Sequence, residues 1–245
     1  MVLPKPIGAA ATGGGAQPRP EGTLIWAGDT SDLRYALLQA GTDAPLYALP
    51  GNLDRLITER ESTWAGLVLP TELSAQALPV CEKRDGLSKA IAGIDTIAWV
   101  KALPEPFGFA CLTGGIVQAL RETVPEGSLG GAALLENFPA AHFALPALIQ
   151  LGFTPYGIAR GALARAAARL GVGIEAPSSL STAPMLRLSR SPQSPHLIHV
   201  EIDGTSVPLG LVELHTAGAQ IRLLTSREPT LSPMYEVLSE RFPTA

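Results

Sequence analysis

The chain has 245 residues, 46% of them hydrophobic and 16% charged, with 25 Gly, 22 Pro, 2 Cys and a formal net charge of −4. A chain of this length buries a core without staples, two cysteines supply neither a disulfide framework nor a Cys-rich zinc site, and the negative balance argues against nucleic acid as the main partner. No apolar run reaches the roughly 18–20 residues of a membrane span and no basic-then-apolar leader opens the chain, so a soluble, cytoplasmic protein is expected.

Residues 1–22 contain little besides Pro, Gly and Ala and read as a disordered tail. Gly13–Gly15 within it has neither the preceding strand nor the following Lys-Ser/Thr of a phosphate loop. From residue 23 the pattern predicts a strand at Thr23–Ala27, a helix at Asp32–Gln39 ending at Gly41, a strand at Leu46–Leu49, a helix at Leu53–Glu61 and a strand at Ala65–Leu69. Short helical pieces follow at Leu73–Val80 and Gly86–Ile91, then a strand at Thr96–Val100. Alternation at this spacing argues for βαβ units and a parallel sheet.

The alternation restarts after a linking helix at Thr113–Thr123 and a Gly-rich break. A strand at Ala132–Leu135 precedes a helix at Pro139–Leu151 that contains Pro146. Tyr156–Ala159 reads as a strand, Ala162–Leu170 as a helix ending at Gly171, and Val172–Glu175 as a short strand. The Ser/Pro-rich segment 176–195 is a lid or a long loop with one strand near Met185–Leu188. Leu197–Ile202 is a strand, Pro208–Ala217 a helix, Gln220–Leu224 a strand and Ser232–Phe242 a closing helix. The fold class is therefore α/β, with an N-terminal α/β lobe at 23–110 and a C-terminal Rossmann-like lobe at 111–245.

Few residues announce chemistry. No pair among His142, His196, His199 and His215 has metal-helix spacing with a carboxylate between, so no metal is expected. Cys81 and Cys111 are isolated, and neither a Gly-x-Ser-x-Gly elbow nor a Walker A sequence occurs. A dinucleotide fingerprint belongs where a strand turns into a helix, with glycines that let the backbone approach a pyrophosphate. Here that turn reads Glu136-Asn137-Phe138-Pro139-Ala140, without a glycine. Pro139 removes an amide donor and Glu136 adds negative charge where an anion would sit.

The order of motifs is similar to that of the shikimate dehydrogenase family. Trp64-Ala-Gly-Leu-Val-Leu-Pro-Thr-Glu-Leu-Ser-Ala-Gln-Ala-Leu-Pro79 resembles the family's W-x-G-L-N-V-T-x-P-x-K-x-x-x-L-P without a gap. Ala92-Gly-Ile-Asp-Thr96 resembles G-A-V-N-T, and Gly108-Phe-Ala-Cys-Leu-Thr-Gly-Gly115 resembles G-x-N-T-D-x-x-G. Tyr156-Gly-Ile-Ala-Arg160 resembles a strand ending in N-R-T, and the likeness runs from residue 23 to about 171.

The resemblance implies an N-terminal substrate lobe, a C-terminal NADP lobe and hydride transfer between them. Residue by residue, the family's catalytic lysine falls on Ser74 and its partner aspartate on Leu112, with the preceding asparagine on Ala110. None of the four lysines, Lys5, Lys83, Lys89 and Lys101, stands at that place. The asparagine that contacts substrate hydroxyls falls on Asp95, and Thr96 is retained. The serine-rich turn is shortened to Gly28-Asp29-Thr30-Ser31, leaving Ser31 as its candidate. The cofactor glycines fall on Glu136, Phe138 and Pro139, while Arg160 stands where a 2′-phosphate would be met. The glutamine-bearing helix that closes the family's site has no counterpart in Ser232–Phe242.

A serine does not replace an ammonium as proton donor at neutral pH, and leucine does not titrate. The expectation is a shikimate-dehydrogenase-like protein that has lost ordinary NADP-dependent oxidation of shikimate and keeps the fold to bind a small hydroxy-acid ligand or a protein partner. The alternative is an active, divergent shikimate or quinate dehydrogenase that reduces 3-dehydroshikimate with NADP in aromatic amino-acid biosynthesis. The sequence leaves the oligomeric state open.

Overall fold

The computed structural model describes residues 20–58, 60–99, 105–124, 130–174, 186–191, 198–208 and 210–243. Most of the expected tail, Gly13–Gly15, Lys5, Lys101, His196 and most of the 176–195 segment lie outside the described residues.

The first sheet is built from β1 (Thr23–Trp26), β2 (Leu46–Ala48), β3 (Trp64–Val68), β4 (Lys83–Arg84), β5 (Thr96–Ala98) and β6 (Phe107–Phe109), in the order β2-β1-β3-β5-β6-β4. The helices α1 (Leu33–Gly41), α2 (Leu53–Thr58) and α3 (Gly86–Ile91) connect its strands. Asp32 starts α1 by accepting the Arg34 amide, and Asp85 starts α3 by accepting that of Ser88. The second sheet comprises β7 (Gly131–Leu135), β8 (Phe153–Tyr156), β9 (Leu186–Arg190), β10 (Ile198–Ile202) and β11 (Thr205–Ser206), in the order β11-β10-β9-β7-β8.

Both sheets are mixed, against the parallel expectation. β1, β2 and β3 are mutually parallel, as are β7, β8 and β9. β5 runs antiparallel to both β3 and β6, and β10 antiparallel to β9. The β5–β6 link is too short for a parallel crossover, which takes about a dozen residues, so β6 must reverse.

The chain passes from the first sheet to the second through α4 (Cys111–Thr123) and comes back through α7 (Leu211–Thr225) and α8 (Leu231–Arg241). The last two helices pack on the first sheet. Leu214, Ala217, Ile221, Met234 and Leu238 share one buried cluster with Leu24, Trp26, Leu37 and Val68. Gly66 of β3 permits this: a Cβ there would collide with the Leu224 side chain and lie 2.8 Å from the Ile97 carbonyl oxygen. The expected strand at Gln220–Leu224 is instead the end of α7. Its apolar residues continue a stripe through Leu214, Ala217, Ile221 and Leu224, three or four apart, which only a helix buries on one side.

Other segments shift as well. β8 stops before Gly157, whose φ of +147° breaks the extended run. The expected strand at Val172–Glu175 is absent through Ile174, because the Val172 amide turns back to the Ala167 carbonyl at 3.0 Å and closes the end of α6 (Gly161–Leu170) at left-handed Gly171. The expected helical piece at Leu73–Val80 is not a helix: one 3-10 turn at Thr71–Leu73 leads into turns, bracketed by Pro70 and Pro79. In the second lobe, α5 (Ala141–Gln150) is buried among Leu135, Leu163, Leu186 and Leu188.

Candidate functional site

Asp95 stands at the entrance to β5, where the Leu69 amide bonds its carbonyl and its own amide bonds Phe109. That backbone pinning aims the side chain at the start of α4. The helix begins at Ala110, which has no side chain to cap it, and the Asp95 carboxylate takes that role from afar. It accepts the Cys111 amide at 2.9 Å, the Leu112 amide, and the Thr96 hydroxyl at 2.6 Å. Asp95 is 1% exposed, and burial pushes its carboxyl above the usual range, with Arg34 and the hydrogen bonds from Thr96, Leu112 and Cys111 pulling back.

Arg34 of α1 is the nearby cation, and it is buried too. Its Nε and Nη2 both lie 2.5 Å from Oε2 of Glu213, in the first turn of α7. Burial opposes the guanidinium charge, and the carboxylates of Glu213, Asp95 and Asp32 more than offset it. Burial likewise raises Glu213. Gln220, further along α7, donates from Nε2 to the Thr96 hydroxyl at 3.0 Å and to the Asp95 carbonyl at 3.5 Å. Ser74 accepts the Ile94 amide at 2.9 Å and is 1% exposed. Leu112 is apolar core. Burial and then Asp95 push the Cys111 thiol up.

The sequence candidates separate. Asp95 and Thr96 are bonded to each other, and Ser74 holds the amide of the residue before Asp95. Ser31 is elsewhere: it is exposed, its amide bonds Asp29 at 2.7 Å and its carbonyl accepts from Arg241 at 2.8 Å. Arg34, Glu213 and Gln220 are not among the sequence candidates. The signal that could have found them is phase: Arg34 falls on the stripe of Leu37, Leu38 and Gly41, and Glu213 and Gln220 fall on that of Ala217 and Leu224.

Arg160 belongs to a second place, a cavity of about 460 Å³ at the carboxyl ends of β7 and β8. Leu134, Leu135, Glu136, Asn137, Gly157 and Ile158 complete its lining. Gly157 is required there, because a Cβ would collide with the Leu135 carbonyl oxygen. Arg160 is exposed, and Glu136 lies 3.5 Å from Arg187. Among the described residues no group of His, Cys, Asp and Glu is placed to hold a metal ion, and no helix is long and apolar enough to cross a membrane.

No family model matches the sequence, and no curated protein matches it. Solved structures do. Shikimate dehydrogenase of Mycobacterium tuberculosis superposes with a TM-score of 0.67 at 17% identity, covering 91% of this chain and 100% of that one. Shikimate 5-dehydrogenase of Thermus thermophilus, in complex with NADP(H) and shikimate, gives 0.68 at 18% identity over 89% and 98%. Quinate dehydrogenase of Corynebacterium glutamicum, in complex with NAD, gives 0.64 at 14% identity over 89% and 98%.

The chain has the shikimate dehydrogenase fold. Two of those structures hold a dinucleotide, and the turn between β7 and α5 tests whether this chain suits one. Phe138 is turned onto the core of the second lobe. Its carbonyl already takes the Ala141 amide at 3.0 Å, and the Ala140 carbonyl takes that of Phe143 at 2.9 Å. Pro139 has no amide hydrogen, and Glu136 lines the adjoining cavity with a carboxylate. A pyrophosphate is recognised by free amides and close backbone approach at a helix N-terminus. These residues do not fit one.

Proposed function

We propose that this chain carries the shikimate dehydrogenase fold without its hydride-transfer chemistry, and works in the cytoplasm as a binding protein. One observation carries the reading. At the two positions where the resembled family has its proton-transferring lysine and aspartate stand Ser74, whose hydroxyl is committed to the Ile94 amide, and Leu112, a core residue. Losing a general acid–base group typically costs about 10²–10⁴ in rate, before any loss of cofactor binding. The unsuited β7–α5 turn supports the same reading from a separate part of the chain. Burial of Ser74, Asp95 and Thr96 argues against a small hydroxy acid held at those atoms. The two free cysteines agree with a reducing compartment.

The test mixes purified protein with NADP and shikimate, or NAD and quinate, and follows absorbance of the reduced cofactor. The expected result is no turnover above buffer. Melting curves with each nucleotide and acid complete it, since a ligand of the native state must raise the melting temperature. Turnover, or a nucleotide-dependent rise, overturns the reading.

A further inference from the structure

We infer that an internal charged lock fixes the angle between the two lobes. The chain crosses between its sheets twice, through α4 on the way out and α7 on the way back. One buried cluster grips both crossings. Asp95, at the entrance to β5, holds the first turn of α4 through the Cys111 and Leu112 amides. Arg34, on a helix of the same lobe, holds the first turn of α7 through Glu213. The two grips are joined, because Gln220 of α7 donates to the Thr96 hydroxyl and that hydroxyl donates to Asp95.

The two crossing helices are also seated directly on each other. A Cβ on Gly115 of α4 would collide with Oγ1 of Thr216 of α7, so neither slides without lifting off the other. The cluster is sealed, with Arg34 at 3%, Asp95 at 1%, Glu213 at 4% and Gln220 at 0% exposure. Both helices are packed into the second lobe's core, α4 through Leu112 and Ile116 and α7 through Leu211 and Val212, so a change of angle must pull at least one of them from its grip on the first lobe. Pulling α4 away takes the backbone donors from the buried Asp95 anion, and pulling α7 away takes Glu213 from a buried guanidinium. Stripping a buried ion of its partner lowers the population of such a state on the order of a hundredfold or more. The lobes therefore hold one angle whether or not anything lies between them. The lock is independent of the loss of catalysis, since its contacts hold the lobes whether or not the cleft carries a reaction.

Spin labels report the angle. They go on the full chain at two exposed positions, as Asp54→Cys on α2 and Ala168→Cys on α6, with Cys81 and Cys111 replaced by alanine. The wild-type cluster gives one narrow interlobe distance, unchanged by NADP or shikimate. The Arg34→Met/Glu213→Met variant, which removes both ions at similar volume, melts cooperatively and gives a broader or second distance population. Glu213→Gln keeps the shape and weakens the grip, and it broadens the distribution to a lesser degree. It decides alone if the double variant does not fold. A broad wild-type distribution overturns the lock, and so does a folded variant whose distribution matches the wild type.

Discussion

The carboxylate of Asp95 accepts the backbone amide of Leu112, a residue 17 positions further along the chain. By the resemblance, these two positions belong to a substrate-contacting asparagine and a catalytic aspartate. Here one of them is the anchor of the other. Against that pattern, the negative charge stands at the entrance to β5 rather than in the first turn of α4, where it accepts the helix's otherwise unpaired amides instead of facing a ligand.

Replacing Asp95 therefore harms stability. Asp95→Ala leaves the Cys111 and Leu112 amides and the Thr96 hydroxyl without their acceptor, and it is expected to cost about 3 kcal/mol. Asp95→Asn keeps the shape and one acceptor oxygen and costs less. Urea unfolding of the two variants gives the ranking.

Arg34 and Glu213 lie on elements 179 residues apart in sequence and act as one unit. Glu213→Leu alone leaves a buried guanidinium and is expected to cost about 3–5 kcal/mol, as is Arg34→Met. The double change leaves no unpaired ion and costs far less than the sum. A double-mutant cycle by chemical denaturation measures the difference.

His142 gives a pH dependence. Its ring is 7% exposed, packed on Phe143, and burial pushes it from 6.5 down to about 4. As pH falls below 6.5 the unfolded chain takes a proton that the folded ring refuses, so stability drops between there and about 4. The full effect is about 3 kcal/mol. Asp95 and Glu213 act in the opposite sense, because burial raises both. Subtracting the stability profile of His142→Met from that of the wild type isolates the His142 share. A flat difference between pH 6.5 and 4 refutes it.

Neighbouring glycines on α4 have opposite outcomes. Gly114 faces open space, with nothing within 4 Å of an added Cβ, so Gly114→Ala is expected to stabilise by about 0.5–1 kcal/mol. Gly115 meets the Thr216 hydroxyl and backbone, so Gly115→Ala is expected to destabilise by about 1–3 kcal/mol. Thermal melts of the two single variants check the sign of each.

Much of this architecture is readable in the sequence, and the limits have physical causes. The run from Thr23 to Val68 is legible because each element there has a clear apolar period and a punctuating Gly, Asp or Asn. Gln220–Leu224 misleads because so short an apolar window fits strand or helix alike, and only the stripe beginning at Leu214 decides. The strands β4 and β11, two residues each, are too short to show a period. Asp95 and Thr96 are found by motif. Arg34 and Glu213 escape because their partnership is made by the return of the last helices, which no local window contains.

That return also orders the birth of the molecule. Leu24, Leu37 and Trp26 are covered by Ile221, Met234 and Leu238. Synthesis from the N-terminus therefore delivers the strands of the first sheet long before their cover. The second lobe, but for Leu211 and Val212, is made while one side of the first sheet still lies bare, so the segment made first waits for its cover from the segment made last.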